Sequence, residues 1–147
     1  VGYINYGNVN MWGFDASLTG LLNLEWSLDL TYSYLGMTEF LNPITNSVDP
    51  INAPRHKAGM KLQYSPRKYP FTASLNGRFV DGFKWSSGIY FGNIQPYTVI
   101  DLHLGYKINE ILKANFTVSN LFNSRHTEII GGPPMGRVAI LRFTTTF

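Results

Sequence analysis

Apolar and polar residues alternate along most of this chain, in runs of roughly ten to fourteen residues, about twice the usual soluble strand. Between Leu24 and Tyr34 the sorting is nearly strict. Leu24, Trp26, Leu28, Leu30, Tyr32 and Tyr34 fall on one side, and Glu25, Ser27, Asp29, Thr31 and Ser33 on the other. A period of two belongs to extended backbone, whose successive side chains point to opposite faces; a helix would scatter these residues around its axis. The same pattern predicts strands over Trp12 to Gly20, Met60 to Tyr64, Phe71 to Phe79, Ile100 to Ile108, Leu112 to Ser119 and Gly136 to Phe147. With a short strand near Tyr3 to Tyr6 the total is about eight long strands.

The connections alternate in length. Leu22 to Asn23, Ser65 to Pro70 and Asn109 to Ile111 are short, whereas Gly36 to Pro54, Phe83 to Pro96 and Asn123 to Met135 are long and rich in Gly, Pro and Asn. Short turns at one end and long loops at the other are the plan of an up-and-down transmembrane β-barrel, with periplasmic turns and extracellular loops. On this plan the final strand runs toward the periplasm, and the connection near Gly7 to Asn10 is a short extracellular one.

Composition fits strands that meet lipid. Charged residues are 14% of the 147-residue chain and aromatics 15%, against roughly 25% charged in soluble domains. No run of about 18 apolar residues marks a spanning helix. The polar sides of the strands are mostly Ser, Thr, Asn and Gly, as suits a hydrated lumen, and large aromatics gather toward strand ends. Trp12, Tyr32 and Tyr34 lie at the loop end and Trp26, Tyr64, Phe71, Tyr106 and Phe147 at the turn end, positions expected of two interfacial girdles. The net charge of +3 is spread singly, so nucleic acid is not an expected partner. Cysteine is absent, and with it disulfides and thiolate metal sites.

Three sets of residues carry a resemblance. Val118-Ser119-Asn120-Leu121-Phe122-Asn123, followed by Pro133-Pro134-Met135-Gly136-Arg137 and a terminal Phe147, is similar to the C-terminal region of TonB-dependent outer-membrane receptors. Ile100 to Tyr106 resembles that family's penultimate strand pair. Ala53-Pro54-Arg55-His56-Lys57 and Gly13-Phe14-Asp15 match too, although the family more often has Glu at the third position. The resemblance implies an all-β fold: an antiparallel arc of a barrel of about 22 strands, a size whose lumen is plugged. It implies further that residues 1–147 are the C-terminal barrel portion, without signal peptide or plug domain, in the outer membrane of a Gram-negative bacterium. The expected task is TonB-energised uptake of a ferric siderophore, cobalamin or carbohydrate. Its partners would be the lipid bilayer and lipopolysaccharide, the plug domain, TonB and the barrel-assembly machinery, for which Phe147 would serve as a signal.

Candidate chemistry is sparse. His56, His103 and His126 lack metal-ligand spacing, no Ser sits in a nucleophile elbow, and neither catalysis nor a cofactor is expected. The inward charges Asp15, Asp29, Lys61, Arg78, Asp101, Lys107, Lys113 and Arg142 line a wet lumen or face the plug. Arg55, His56, Lys84, Trp85, Tyr90, Phe91, Arg125, His126 and Arg137 form a candidate ligand rim on the loops and strand ends. Two other architectures fit the alternation: a complete eight-stranded outer-membrane barrel with a structural or adhesive role, and a soluble lipocalin-like barrel with its apolar face around a ligand.

Overall fold

The structure, a computed structural model, describes residues 8–146. The strand expected at Tyr3 to Tyr6, Gly7 of the following connection and Phe147 lie outside the described residues. Seven strands form one antiparallel sheet: β1 (Gly13–Leu21), β2 (Trp26–Leu35), β5 (His56–Tyr64), β6 (Phe71–Val80), β9 (Tyr97–Lys107), β10 (Leu112–Ser119) and β11 (Val138–Thr145), in the order β1-β2-β5-β6-β9-β10-β11. Each strand pairs with the next spanning strand in sequence, as an up-and-down meander requires. At eight to eleven residues apiece, they have the length of tilted membrane strands.

Register decides which side chains share a face. Phe14 opposes Tyr34, Leu18 opposes Leu30, Leu28 opposes Leu62, Leu75 opposes Leu102, and Phe116 opposes both Leu104 and Leu141. One face is therefore apolar from edge to edge. Asp15, Ser33, Lys57, Asp29, Lys61, Asn76, Asp101, Thr117 and Arg142 fall together on the other. Nothing packs over the middle of the apolar face: Leu104 and Phe116 are 40% and 37% exposed, so no dry interior forms around it, as a lipocalin-like barrel would need. The sheet does not close either. Among the described residues β1 and β11 are unpaired edges, as in an arc of a larger barrel.

The two faces are crowded differently. A Cβ placed on Gly20 or Gly77, both on the apolar side, meets nothing within 4 Å, whereas one on Gly59 or Gly105, on the polar side, comes within 2.5 Å or 2.7 Å of Thr31 Oγ1 or Thr72 Oγ1. Side chains that spread on one surface and converge on the other describe the outer and inner sides of a curved wall.

Aromatic belts frame the apolar face. At the turn end Trp26 stacks on Tyr64 with centroids 4.6 Å apart, Phe71 follows at 5.6 Å, and Tyr106 opposes Phe71 in register. At the loop end Trp12, Phe14, Tyr32, Tyr34 and His56 form a second belt, with centroids 5.3 to 6.1 Å apart. Trp26 and Tyr34 stand on the same strand about 26 Å apart along it, a span that tilt reduces to roughly the height of an outer-membrane apolar band.

Turn chemistry sets the two ends. In the β1–β2 turn Asn23 Oδ1 accepts from the amides of Glu25 and Trp26 at 2.8 and 3.0 Å; in the β9–β10 turn Asn109 Oδ1 does the same for Ile111 and Leu112 at 2.9 and 2.8 Å. An Asn side chain standing in for a backbone carbonyl closes such turns in few residues. Two of the three long connections, read in the sequence only as long and rich in Gly, Pro and Asn, carry hairpins: β3 (Glu39–Asn42) with β4 (Ser47–Pro50), and β7 (Phe83–Ser87) with β8 (Tyr90–Ile94). Strand ends shift as well. β2 begins at Trp26 rather than Leu24, because Asn23 draws Glu25 into the turn, and β5 and β9 start earlier, at His56 and Tyr97.

Candidate functional site

The polar wall and the loops above it form the candidate site. All seven of Asp15, Asp29, Lys61, Arg78, Asp101, Lys107 and Arg142 lie on the polar face, but they are not equivalent. Three are engaged: Asp101 Oδ1 accepts from the Asn120 amide at 2.8 Å, Arg78 pairs with Glu128 at 3.1 Å, and Lys107 pairs with Glu110 at 2.7 Å. Asp15, Asp29, Lys61 and Arg142 have no ion-pair partner among the described residues. Asp29 stands opposite Lys61 in the ladder without an ion pair between them. Beside Arg142 lies an open polar cleft of 350 Å³ whose lining includes Gln63, Ser74, His103, Asn115 and Thr117. His103 Nδ1 is 3.1 Å from Thr117 Oγ1.

Above the wall, the three long connections interlock. Lys84 on β7 pairs with Glu39 on β3 at 2.7 Å. Asn52, in left-handed backbone at φ 53 to 61 like Asn46 before it, fixes Ser86 by two 2.8 Å hydrogen bonds, one accepted and one donated. The third connection, residues 120–137, meets the β7–β8 hairpin where the Tyr90 ring covers Gly131 and Ile130 lies against Gly92. At Gly131, with φ +87 and a Tyr ring where a Cβ would stand, any other residue would be strained twice over.

The root of this third connection explains the Asn120-Leu121-Phe122-Asn123 motif. Both asparagines adopt left-handed φ, 55 and 54, which Asn tolerates better than most residues. Asn120 is 3% exposed. Its side chain donates to Ser124 O and accepts from Ser124 N, both at 2.9 Å, while Asn123 Oδ1 accepts from the Arg137 amide at 3.0 Å. The chain is thereby turned back over the polar wall. There the His126 ring stacks on Tyr97 at 4.3 Å, and Glu128 Oε1 lies 3.1 Å from Arg78 and 3.2 Å from His126 Nε2.

The rim residues divide into groups rather than converging. Lys84, Trp85 and Tyr90 share the β7–β8 hairpin, and Phe91 is exposed there. Arg55 donates to Gly36 O at 3.4 Å at the start of β5. His56 sits on the apolar face, its Nδ1 2.8 Å from the Tyr32 hydroxyl. Arg125 is exposed, His126 is buried beneath its own loop, and Arg137 donates to Leu121 O at 3.3 Å. Glu128 and Tyr97, which organise the wall beneath the loops, drew no attention in the sequence. The one available signal was the His126-Thr127-Glu128 spacing, which sets both side chains on one side of an extended segment.

A family model described as TonB dependent receptor-like, beta-barrel, matches residues 1–121. The chain belongs to the TonB-dependent receptor β-barrel family. Solved structures agree in fold. The ferric-catecholate import receptor Fiu of E. coli K12 superposes with TM-score 0.71 at 21% identity over 93% of this chain. A mutant of the ferric enterobactin receptor PfeA of Pseudomonas aeruginosa gives 0.71 at 18% over 93%, and the copper transporter OprC 0.75 at 19% over 93%. This chain spans 21%, 22% and 24% of those three chains. No curated protein sequence matches. As a TonB-dependent receptor barrel the sheet is an arc of an outer-membrane wall, so its apolar face meets lipid and its polar face the lumen.

Proposed function

We propose that this arc forms the C-terminal part of the barrel of a receptor that imports a scarce nutrient across the outer membrane, energised by TonB. The observation that carries this reading is a membrane-length sheet with one unbroken apolar face and one polar face, whose edge strands β1 and β11 have no further partner among the described residues. Unpaired backbone is costly in hydrocarbon, so further strands of a larger barrel complete both edges. Asp15, Asp29, Lys61, Lys113 and Arg142, with no ion-pair partner among the described residues, are available to a plug domain, which they would hold by reversible polar contacts. The short turns face the periplasm and the interlocked loops the exterior, which puts the C-terminus on the periplasmic side and leaves Phe147 as a signal for barrel assembly.

Among ferric siderophores, cobalamin and carbohydrates, a ferric chelate is favoured. Arg55, Lys84, Arg125 and Arg137 give the loop end cationic character, which draws in anions, and Fiu and PfeA are ferric-catecholate and ferric enterobactin receptors. The test is uptake of labelled iron from ferric catecholates by cells carrying the full reading frame, alongside labelled cobalamin and an oligosaccharide. Iron uptake lost on deletion of TonB is the expected result; uptake indifferent to TonB would refute the reading. Neutralising Arg55, Lys84 and Arg125 together is expected to weaken chelate binding, and unchanged affinity would remove them from the rim.

A further inference from the structure

Beyond its root at Asn120, the loop over residues 120–137 lies back on the inner wall where the His126 ring stacks on Tyr97 and the Glu128 carboxylate meets Arg78. Glu128 Oε1 accepts from Arg78 at 3.1 Å and lies 3.2 Å from His126 Nε2. His126 Nδ1 is 2.9 Å from Ser124 O. A carbonyl can only accept, so Nδ1 carries a proton, and Nε2 then donates to Glu128 only when the ring is an imidazolium. The His126 side chain is 5% exposed, and its ring is flat on Tyr97. Val99, opposite Arg78 in the ladder, is 2% exposed on a wall that is elsewhere largely open.

Without Glu128 this place would be an oxyanion site. The Arg78 guanidinium on β6 donates to one Glu128 oxygen, and a ligand carboxylate, phosphate or catecholate oxygen would satisfy the same donor. Glu128 fills the site from the loop itself. Arg125, exposed one residue before His126, adds positive charge nearby.

We propose that Arg78 is an anion-binding position on the inner wall that Glu128 occupies as a tethered stand-in, so that an anionic ligand which takes Arg78 displaces this carboxylate and releases the loop, His126 with it, from the wall. The inference rests on reading the polar face as a lumen through which an anionic nutrient passes. It adds a specific coupling: the ligand that enters removes the strap that narrows its path, and a neutral ligand does not.

The chain has no cysteine, so a thiol at position 99, buried opposite Arg78, reports on whether that place opens. In receptor made from the full reading frame and assembled in membranes, with any cysteine outside this segment removed, Val99→Cys is treated with an uncharged maleimide. Heat-modifiable migration confirms that each variant is folded. Slow modification is expected with Glu128 present, and modification faster by about an order of magnitude with Glu128→Gln, since protection tracks the cost of local opening. Sodium sulfate should speed modification of the Glu128 protein relative to sodium chloride of equal ionic strength, and Arg78→Gln should abolish that difference. A folded Glu128→Gln receptor whose position 99 stays protected would overturn the proposal, as would sulfate no different from chloride. The sulfate response does not depend on transport, so a receptor that opens to sulfate yet imports no ferric chelate would count against the proposed function and not against this site.

Discussion

Across the apolar face each side chain is placed by its own strand and the next, whereas at the loop end the contacts join residues far apart in sequence. Asn52 and Ser86 are 34 positions apart, and Arg78 and Glu128 are 50. The first kind of order comes from a two-residue period and a ladder register, and it repeats over seven strands. The second comes from single polar contacts, each of which can be removed without touching the sheet. A receptor wall built this way has a stable frame and a separately adjustable upper end.

The sharpest way to break this contrast is to put a charge at mid-depth on each face. Phe116→Arg or Leu102→Arg should cost about 2–4 kcal/mol by facing lipid near the midplane and should abolish heat-modifiable migration. Thr117→Arg, one residue along on the polar side, should assemble normally. Equal tolerance at Phe116 and Thr117 would reverse the assignment of faces.

Smaller, and of opposite sense, is the response to added bulk. Gly105→Ala would set a methyl 2.7 Å from Thr72 Oγ1 and 3.3 Å from Asn115 Oδ1, an overpacking cost of about 1–3 kcal/mol. Gly77→Ala, with open space on the lipid side, should be neutral. Thermal unfolding in detergent reads both, and a destabilised Gly77→Ala would mean that the apolar side is not the spread one.

At the loop end, Asn52→Ala removes both hydrogen bonds to Ser86, roughly 1 kcal/mol for each. The β3–β4 and β7–β8 hairpins should then become accessible to protease while the barrel melts as before. A lowered melting temperature with unaltered proteolysis would show that the loops and the frame are not separable.

The smallest effect expected is at the turn end, where two 2.7 Å hydrogen bonds from Lys107 and its charge hold the Glu110 carboxyl below the ordinary carboxylate range. A lowered acid stabilises the folded state at pH above its unfolded value, and that contribution is lost as pH falls through the folded value. Glu110→Gln should therefore lower stability slightly at neutral pH, and the two proteins should converge as pH falls below the usual carboxylate range. A difference that persists undiminished at low pH would contradict the pairing.

Much of the frame was legible because its information is local. The period of two marked every spanning strand within the described residues and placed Asp15, Asp29, Lys61 and Arg142 on one face with no knowledge of neighbours. The hairpins inside the long connections were not legible: Phe40-Leu41 and Tyr90-Phe91 are too short to show a period. Asp101 reads as one more inward charge, and only the fold shows its carboxylate holding the Asn120 amide. His56 and His126 read alike as rim histidines, yet one joins the apolar belt and the other is buried against Tyr97.

From the sequence alone came the class of fold, the two faces, the alternation of short and long connections and the resemblance to a receptor family, because each follows from spacing along the chain. Tertiary structure decided how the three long connections lock together, which wall charges stay free, and where Glu128 meets Arg78 and His126. A strand's faces are fixed by backbone geometry before it finds a partner, while the path of a loop is fixed only by the distant groups that satisfy its polar atoms.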